Sequence, residues 1–395
     1  MISKKNIQYI ILLVLLSIFL ILKMERGFSD TEEAGGFWNI IQLIFVTGGI
    51  VCLFNNIHHR NFVSKNIIIK VYLIFAFYIW LFSFFVYFSD NLYDVTTTFN
   101  FVMIPYGALT MYFFYIVGSK IDIRKYPLIL VCTYVIIFFI LFASMRDFRL
   151  ELDEEKGDIA DVYYIVGLLP LIFIYTPQRL AIFPYILAFV GVIMTGKRTG
   201  FLVLAAILFI YYFSFYGERS LKKIIIKFGL LIIVLFTVYF LGMSFIEKFN
   251  LDMLDRLEHY DEGGSAVRLE RWSIISENIM SSNYLQLIFG HGYKGVLKLT
   301  GGHAHNDFLE VLYDYGIIAL VLYLLFYISF FIEGLKMYKK KYIYAREFMC
   351  SFAVAIFLAS FSFYLADCTF ITCSSVCIGL MLSDWDNLKN KKQIL

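Results

Sequence analysis

Apolar residues in this chain run together in long blocks separated by short polar or basic loops. The blocks lie at about 7–22, 37–54, 67–88, 98–117, 128–144, 163–175, 180–195, 200–216, 228–246, 315–332, 348–366 and 368–383. A helix needs roughly 20 residues to cross a hydrocarbon core. Each block is about long enough, although 163–175 and 368–383 are short. Unpaired backbone cannot sit in lipid, so all the blocks are expected to be helical. The pattern predicts an all-α integral membrane protein with about 12 transmembrane helices. Pro105, Pro170 and Pro184 fall within blocks and are expected to kink them. Lys4 and Lys5 precede the first block and no small-residue cleavage site follows it, so it reads as a retained span rather than a signal peptide.

Composition agrees with the pattern. Of 395 residues, 60% are hydrophobic and 16% charged, a balance outside the range of soluble domains. The net charge of +3 is small and the basic residues sit in loops, which argues against a nucleic-acid partner. Those loops set an orientation. Lys4 and Lys5, Arg60 and Lys65, Lys120 to Lys125, Arg179, Arg219 to Lys223, Lys336 to Arg346, and Lys389 to Lys392 mark alternate loops. Both termini are therefore expected in the cytoplasm. The six cysteines form no metal-binding spacing and read as packing residues, with a Cys368–Cys373 pair open if they face an oxidising compartment.

The chain accordingly divides into spans one to nine at 1–246, a large periplasmic loop at 247–314, and spans ten to twelve with a cytoplasmic tail at 315–395. A loop of that length in a compact protein is usually functional. Its middle, SAVRLERWSIISENIM, has a helical pattern with Val267, Trp272 and Ile275 able to lie against the membrane surface. Its end reads FGHGYKGVLKLTGGHAHNDFLEVLYDYG: a glycine-rich polar stretch, then His303, His305 and Asn306, then a helix that Asp307 can cap. Asn306, Glu310 and Asp314 are spaced to share one helical face. Beyond Gly316 no charge appears until Glu333, so histidine and asparagine stand at the mouth of a membrane helix. That position suits chemistry on the head group of a lipid substrate; a structural loop with hydrogen-bonded histidines fits the residue types equally. The acidic stretch Glu151 to Asp161 lacks EF-hand spacing and reads as a solvated turn.

One short outer turn, MTGKRTGF, breaks the charge rule with Lys197 and Arg198. Snorkelling to the head groups would explain them. An anion site also would, because arginine offers a planar fork for phosphate oxygens and the flanking Gly196 and Gly200 let a ligand approach the backbone.

The order of these features resembles the O-antigen polymerase and O-antigen ligase superfamily of bacterial envelope enzymes. They are a basic turn after a mid-chain span, a large outer loop with Arg268 and Trp272, Gly290 and Gly292, then His305, Asn306, Leu309, Glu310 and Gly316. The likeness covers roughly 180–327, with Ala319 where a further glycine often stands. It implies a multi-pass GT-C-like transferase of the bacterial inner membrane, active on the periplasmic face without a metal or other cofactor. The implied donor is an undecaprenyl-pyrophosphate-linked oligosaccharide, and a chain-length-regulating co-polymerase is a further implied partner. Carried over, Arg198, Arg268 and His305 are the expected catalytic residues. Arg271, Asn306, His303, Glu310 and Lys197 are expected to bind substrate. Two arginines would stabilise the charge that develops on the pyrophosphate, and His305 would take or orient a hydroxyl proton. Three functions follow as expectations: a polymerase of O-antigen or capsule repeat units, a ligase delivering the glycan to lipid A–core, and, in another class, a polysaccharide transporter or flippase. Against the last, the block centres carry almost no ionisable residues.

Overall fold

The computed structural model describes residues 4–26, 36–58, 66–89, 101–120, 127–150, 162–177, 180–195, 198–213, 264–362, 365 and 368–390. The ninth apolar block, the acidic stretch at 151–161 and Lys197 lie outside the described residues.

The described residues are helical throughout the apolar blocks. In chain order the helices are α1 (Lys4–Arg26), α2 (Gly36–His58), α3 (Ile67–Ser89), α4 (Tyr106–Gly118), α5 (Pro127–Leu150), α6 (Val162–Tyr175), α7 (Ile182–Thr195) and α8 (Arg198–Phe213). Then come α9 (Gly264–Ser281), α10 (Tyr284–Phe289), α11 (Gly295–Thr300), α12 (Asp307–Lys339), α13 (Ala345–Phe361) and α14 (Cys368–Asn390). Among the described residues, four segments are long and apolar enough to cross a bilayer: Asn6–Lys23, Asn39–Ile57, Ile67–Phe84 and Asp307–Lys339. Shorter apolar helices run at Tyr106–Gly118, Pro127–Ala143, Val162–Tyr175, Ile182–Ile193 and Thr199–Tyr211. The described residues are thus those of a helical, multi-pass membrane protein.

The prolines act differently from expectation. Pro105 does not kink a continuous helix; it stands at the N-cap of α4, after a turn at 104–105. Pro184 falls in the first turn of α7, where its missing N–H costs no helical bond. Pro170 lies inside α6.

Helix α6 is the centre of the bundle. Every one of its residues is buried, and it packs against α5, α7, α8, α13 and α14. A helix buried all round must be apolar all round, which is why its 14 residues carry no charge. Around it, α14 packs on α4, α4 on α2 and α3, and α3 on α12. Helix α12 shows how the periphery is divided. Ile317, Val321, Leu324, Ile328, Phe331 and Leu335 are exposed at helical spacing, while Ala319, Tyr323, Phe326, Phe330 and Met337 face the core. In a membrane protein such an apolar exposed stripe faces lipid.

The bundle has two distinguishable ends. At one, Glu333 accepts hydrogen bonds from Trp385 Nε1 (2.7 Å), Lys389 Nζ (2.6 Å) and Lys336 Nζ (3.1 Å). Asp386 Oδ2 accepts from Asn66 Nδ2 (3.2 Å) and the Tyr115 hydroxyl (3.0 Å), so α3, α4, α12 and α14 meet there. Lys336 and Lys389, read from the sequence only as loop charges that set orientation, are also ion-paired to a nearly buried carboxylate. At the other end, Ser83 Oγ donates to the Tyr315 hydroxyl (3.4 Å), and the Tyr106 and Thr372 hydroxyls share a bond of 2.6 Å. The candidate site is at this second end.

Candidate functional site

The site is built on a bend. Gly316 interrupts α12 with φ 75° and ψ −175°, a conformation that essentially only glycine adopts. Residues 16 apart in a straight α-helix stand about 24 Å apart. Yet the Tyr323 hydroxyl donates to Asp307 Oδ2 at 3.1 Å, and the Phe308 ring lies 5.3 Å from that of Tyr323. The first turns of α12 therefore fold back over the helix that follows. Asp307 does not cap the helix as expected. Asn306 does, its Oδ1 accepting from Leu309 N (3.1 Å), while Asp307 is buried and also accepts from Leu365 N (2.9 Å).

The bend turns backbone groups toward the preceding loop. His291 N donates to Tyr313 O (2.8 Å) and Gly292 N to Asp314 O (2.9 Å). Gly290 matches Gly316 with φ 82°. A side chain at Gly316 would collide with the Ile288 carbonyl, and one at Gly290 with the Asp314 carbonyl. The two glycines are thus a matched pair that lets two backbones touch. The buried Asp314 carboxylate then accepts from Val296 N (2.8 Å) at the start of α11.

Helix α9 grips the next stretch. Arg271 Nη1 donates to the His303 carbonyl (3.0 Å), and Trp272 Nε1 to the Ala304 carbonyl (2.6 Å). From the other side Glu310 Oε1 accepts from Ala304 N (2.5 Å). Ala304 is fully buried and held at both its N–H and its carbonyl. Ile275, Val296, Ala304 and Tyr313 form a small second core beneath this loop, with Trp272 packed against it. Trp272 and Ile275 therefore face protein, not the membrane surface as the helical pattern suggested, and Val267 is exposed.

His303 Nδ1 lies 3.3 Å from Glu310 Oε1, and its side chain is 47% exposed. The hydrogen bond that His303 makes to the accepting Glu310 carboxylate raises the pKa of His303, and partial burial opposes it. His305, two residues on, sits in the left-handed region at φ 56°. That corner turns the chain into the cap at Asn306.

The other expected residues are spread around the same end. Arg268 Nη1 reaches the Phe361 carbonyl at the end of α13 (3.4 Å). Arg198 begins α8, and its side chain lies outside the described residues, as does all of Lys197. The position of Arg198 along the bundle is nevertheless defined. Gly191 of α7 faces Val162 and Ile165 at the start of α6, and Gly200 faces Val192. The start of α8 is thus near the C-terminal half of α7, which faces the start of α6, whose Tyr163 and Tyr164 pack on Phe370. Arg271, His303, Asn306 and Glu310 are drawn into one cluster, whereas Arg268, on the same helix as Arg271, turns to the end of α13 and Arg198 is fixed only as the start of α8.

Sequence reasoning passed over Asp307 as a mere cap and over His291 entirely. His291 stacks on Tyr313 with centroids 4.0 Å apart, bonds Ser282 Oγ through Nε2 (2.9 Å) and Tyr313 O through Nδ1 (3.1 Å). Its place between Gly290 and Gly292 was the available signal.

Helices packed in a bundle and an exposed apolar stripe define a multi-pass membrane protein. The family model described as O-antigen ligase matches residues 183–324, from α7 through the bend of α12. Over that stretch the chain is similar to the O-antigen ligase family. No curated protein matches the chain.

Proposed function

We propose that this protein is a GT-C-type glycosyltransferase of the bacterial inner membrane that polymerises lipid-linked repeat units of O-antigen or capsule. In this reading the glycan leaves undecaprenyl pyrophosphate for a sugar hydroxyl of a second lipid-linked unit on the periplasmic face. The observation that supports it is the cluster in which Arg271 and Glu310 hold the His303–Ala304 backbone and His303 pairs with Glu310, within the stretch that the O-antigen ligase family model matches. Arg198 and Arg268 stabilise the charge that builds up on the departing pyrophosphate. His305 takes the acceptor proton, and attack opposite the leaving group inverts the anomeric centre. Arg271, Asn306, His303, Glu310 and Lys197 bind substrate in this scheme. No divalent metal is needed in this scheme, because guanidinium groups supply the positive charge. A chain-length regulator would act on this complex as a separate partner.

The ligase reading stands second, favoured by the description of the matched family model. The lipopolysaccharide ladder of a deletion strain separates the two. A core bearing one repeat unit marks a polymerase; a bare core with polymer left on the prenyl lipid marks a ligase. In the same strain, Arg198→Lys, Arg268→Ala and His305→Ala at matched membrane levels are each expected to shorten or abolish polymer. Each arginine contributes about 2–4 kcal/mol of transition-state stabilisation, as one preorganised donor does. Near-normal polymer from both Arg268→Ala and His305→Ala would overturn the assignment.

A further inference from the structure

We propose that the short helix α10 is a membrane-seated element, inserted among the acyl chains of the leaflet on the same side as the candidate site. The proposal stands apart from the glycosyl-transfer reading. No residue of α10 is buried in protein. Tyr284 is 87% exposed, Leu285 69%, and Met280 on the preceding turn 85%; Ile288 and Phe289 are exposed as well. From Asn278 to Tyr293 the chain carries no acidic residue, lysine or arginine. A contiguous apolar patch of this kind on a folded surface marks a contact with something apolar.

Depth and continuity select lipid as the occupant. The backbone of Ile288 and Gly290 touches Gly316 so closely that no side chain fits between them. Gly316 is also where the lipid-facing stripe of α12 begins, with Ile317 and Ile318 exposed immediately beyond it. The end of α10 is therefore level with the start of that stripe. Laterally, the Phe289 ring stacks on Phe82 of α3 at 6.5 Å and 8°. Leu81 and Phe84 on either side of Phe82 are exposed, so the patch continues into the outward face of α3. The helix is also prepared for a dry environment. Asn283 Oδ1 accepts from Gln286 N (2.9 Å) and Gln286 Oε1 from Asn283 N (3.2 Å), which removes two backbone donors that lipid could not satisfy. Tyr284 at the first position is the residue type favoured where lipid meets water. Because Gly290 leads straight from α10 into the paired backbone at Tyr313 and Asp314, seating α10 in lipid fixes the height of the site loop relative to the head groups.

Collision accessibility of spin labels on the full chain in phospholipid vesicles tests this. Cys52, Cys132 and Cys368 are first replaced by alanine, and a label is placed at Leu285→Cys, Tyr284→Cys or, as a solvent reference, Lys298→Cys. Oxygen, which concentrates in the acyl region, should collide with the label at 284 and 285 more often than a water-soluble nickel chelate does, and the order should reverse at 298. Nickel access at 284 and 285 equal to that at 298 would overturn the proposal. So would shielding from both reagents with an immobilised spectrum, since that marks packing against protein. The substituted side chains are exposed, so folding does not depend on them, and a normal reference spectrum at 298 checks it.

Discussion

His303 and His305 are two residues apart and differ in almost everything that governs their chemistry. His303 is half-exposed and pairs with Glu310, whereas His305 occupies a left-handed corner. The Glu310 contact raises the folded pKa of His303 above its unfolded value of about 6.5. Its contribution to loop stability is thus complete below that value and is lost as pH rises through the raised one. Glu310→Gln should lower the pKa of His303, read by NMR titration of labelled histidine side chains. An unchanged midpoint would mean that Glu310 serves only the Ala304 N–H. The same carboxylate shows how far side-chain chemistry was legible beforehand. The spacing of Asn306, Glu310 and Asp314 put all three on one face, and all three do point their oxygens at backbone N–H groups of the loop or the helix start. Their partners were not legible, because Ala304 and Val296 come near them only through the fold.

Helix α12 carries the mechanical consequences. Gly316→Ala would put a β-carbon into the Ile288 carbonyl and force a left-handed backbone on alanine, at a cost of about 1–3 kcal/mol for the strain before any collision. Faster amide exchange at His291 and Gly292, whose donors depend on the bend, is the expected result; unchanged protection there would refute the pairing. The fold-back is closed by Asp307, so Tyr323→Phe should lower thermal stability by about 1–3 kcal/mol, the usual penalty for leaving a buried acceptor short of a partner. Asp307→Ala should cost more, because it also strands Leu365 N, and a double-mutant cycle should show the two changes coupled. An additive cycle would mean that the contact does not hold the bend. A straight amphipathic helix entering the membrane was the natural expectation from 307–332. A single glycine overrode it, since the period of the apolar positions is the same on both sides of a bend.

The whole molecule sorts its polar groups to two ends. One is closed by the ion pairs around Glu333; the other is the site end, where the loop gripped by Arg271 and Trp272 lies. On the side preference of basic loops, the first end is expected to face the cytoplasm. Phosphatase fusions should accordingly be inactive at residue 342 and active near residue 260, and the reverse pattern would invert the protein and move the proposed chemistry to the wrong face.

Apolar block length, the absence of charge within blocks and the side preference of lysine and arginine are properties of short stretches of chain. Helical class and the positions of the described apolar helices therefore follow from local composition, because lipid leaves the backbone no alternative to the helix. The pairing of Gly290 with Gly316, the burial of Asp307 against Tyr323, the hold of α9 on His303 and Ala304, and the approach of Arg268 to α13 join residues from 16 to 93 positions apart. Which distant partner satisfies a backbone N–H or a carboxylate depends on where the helices pack, and hydrophobic patterning is silent on that choice.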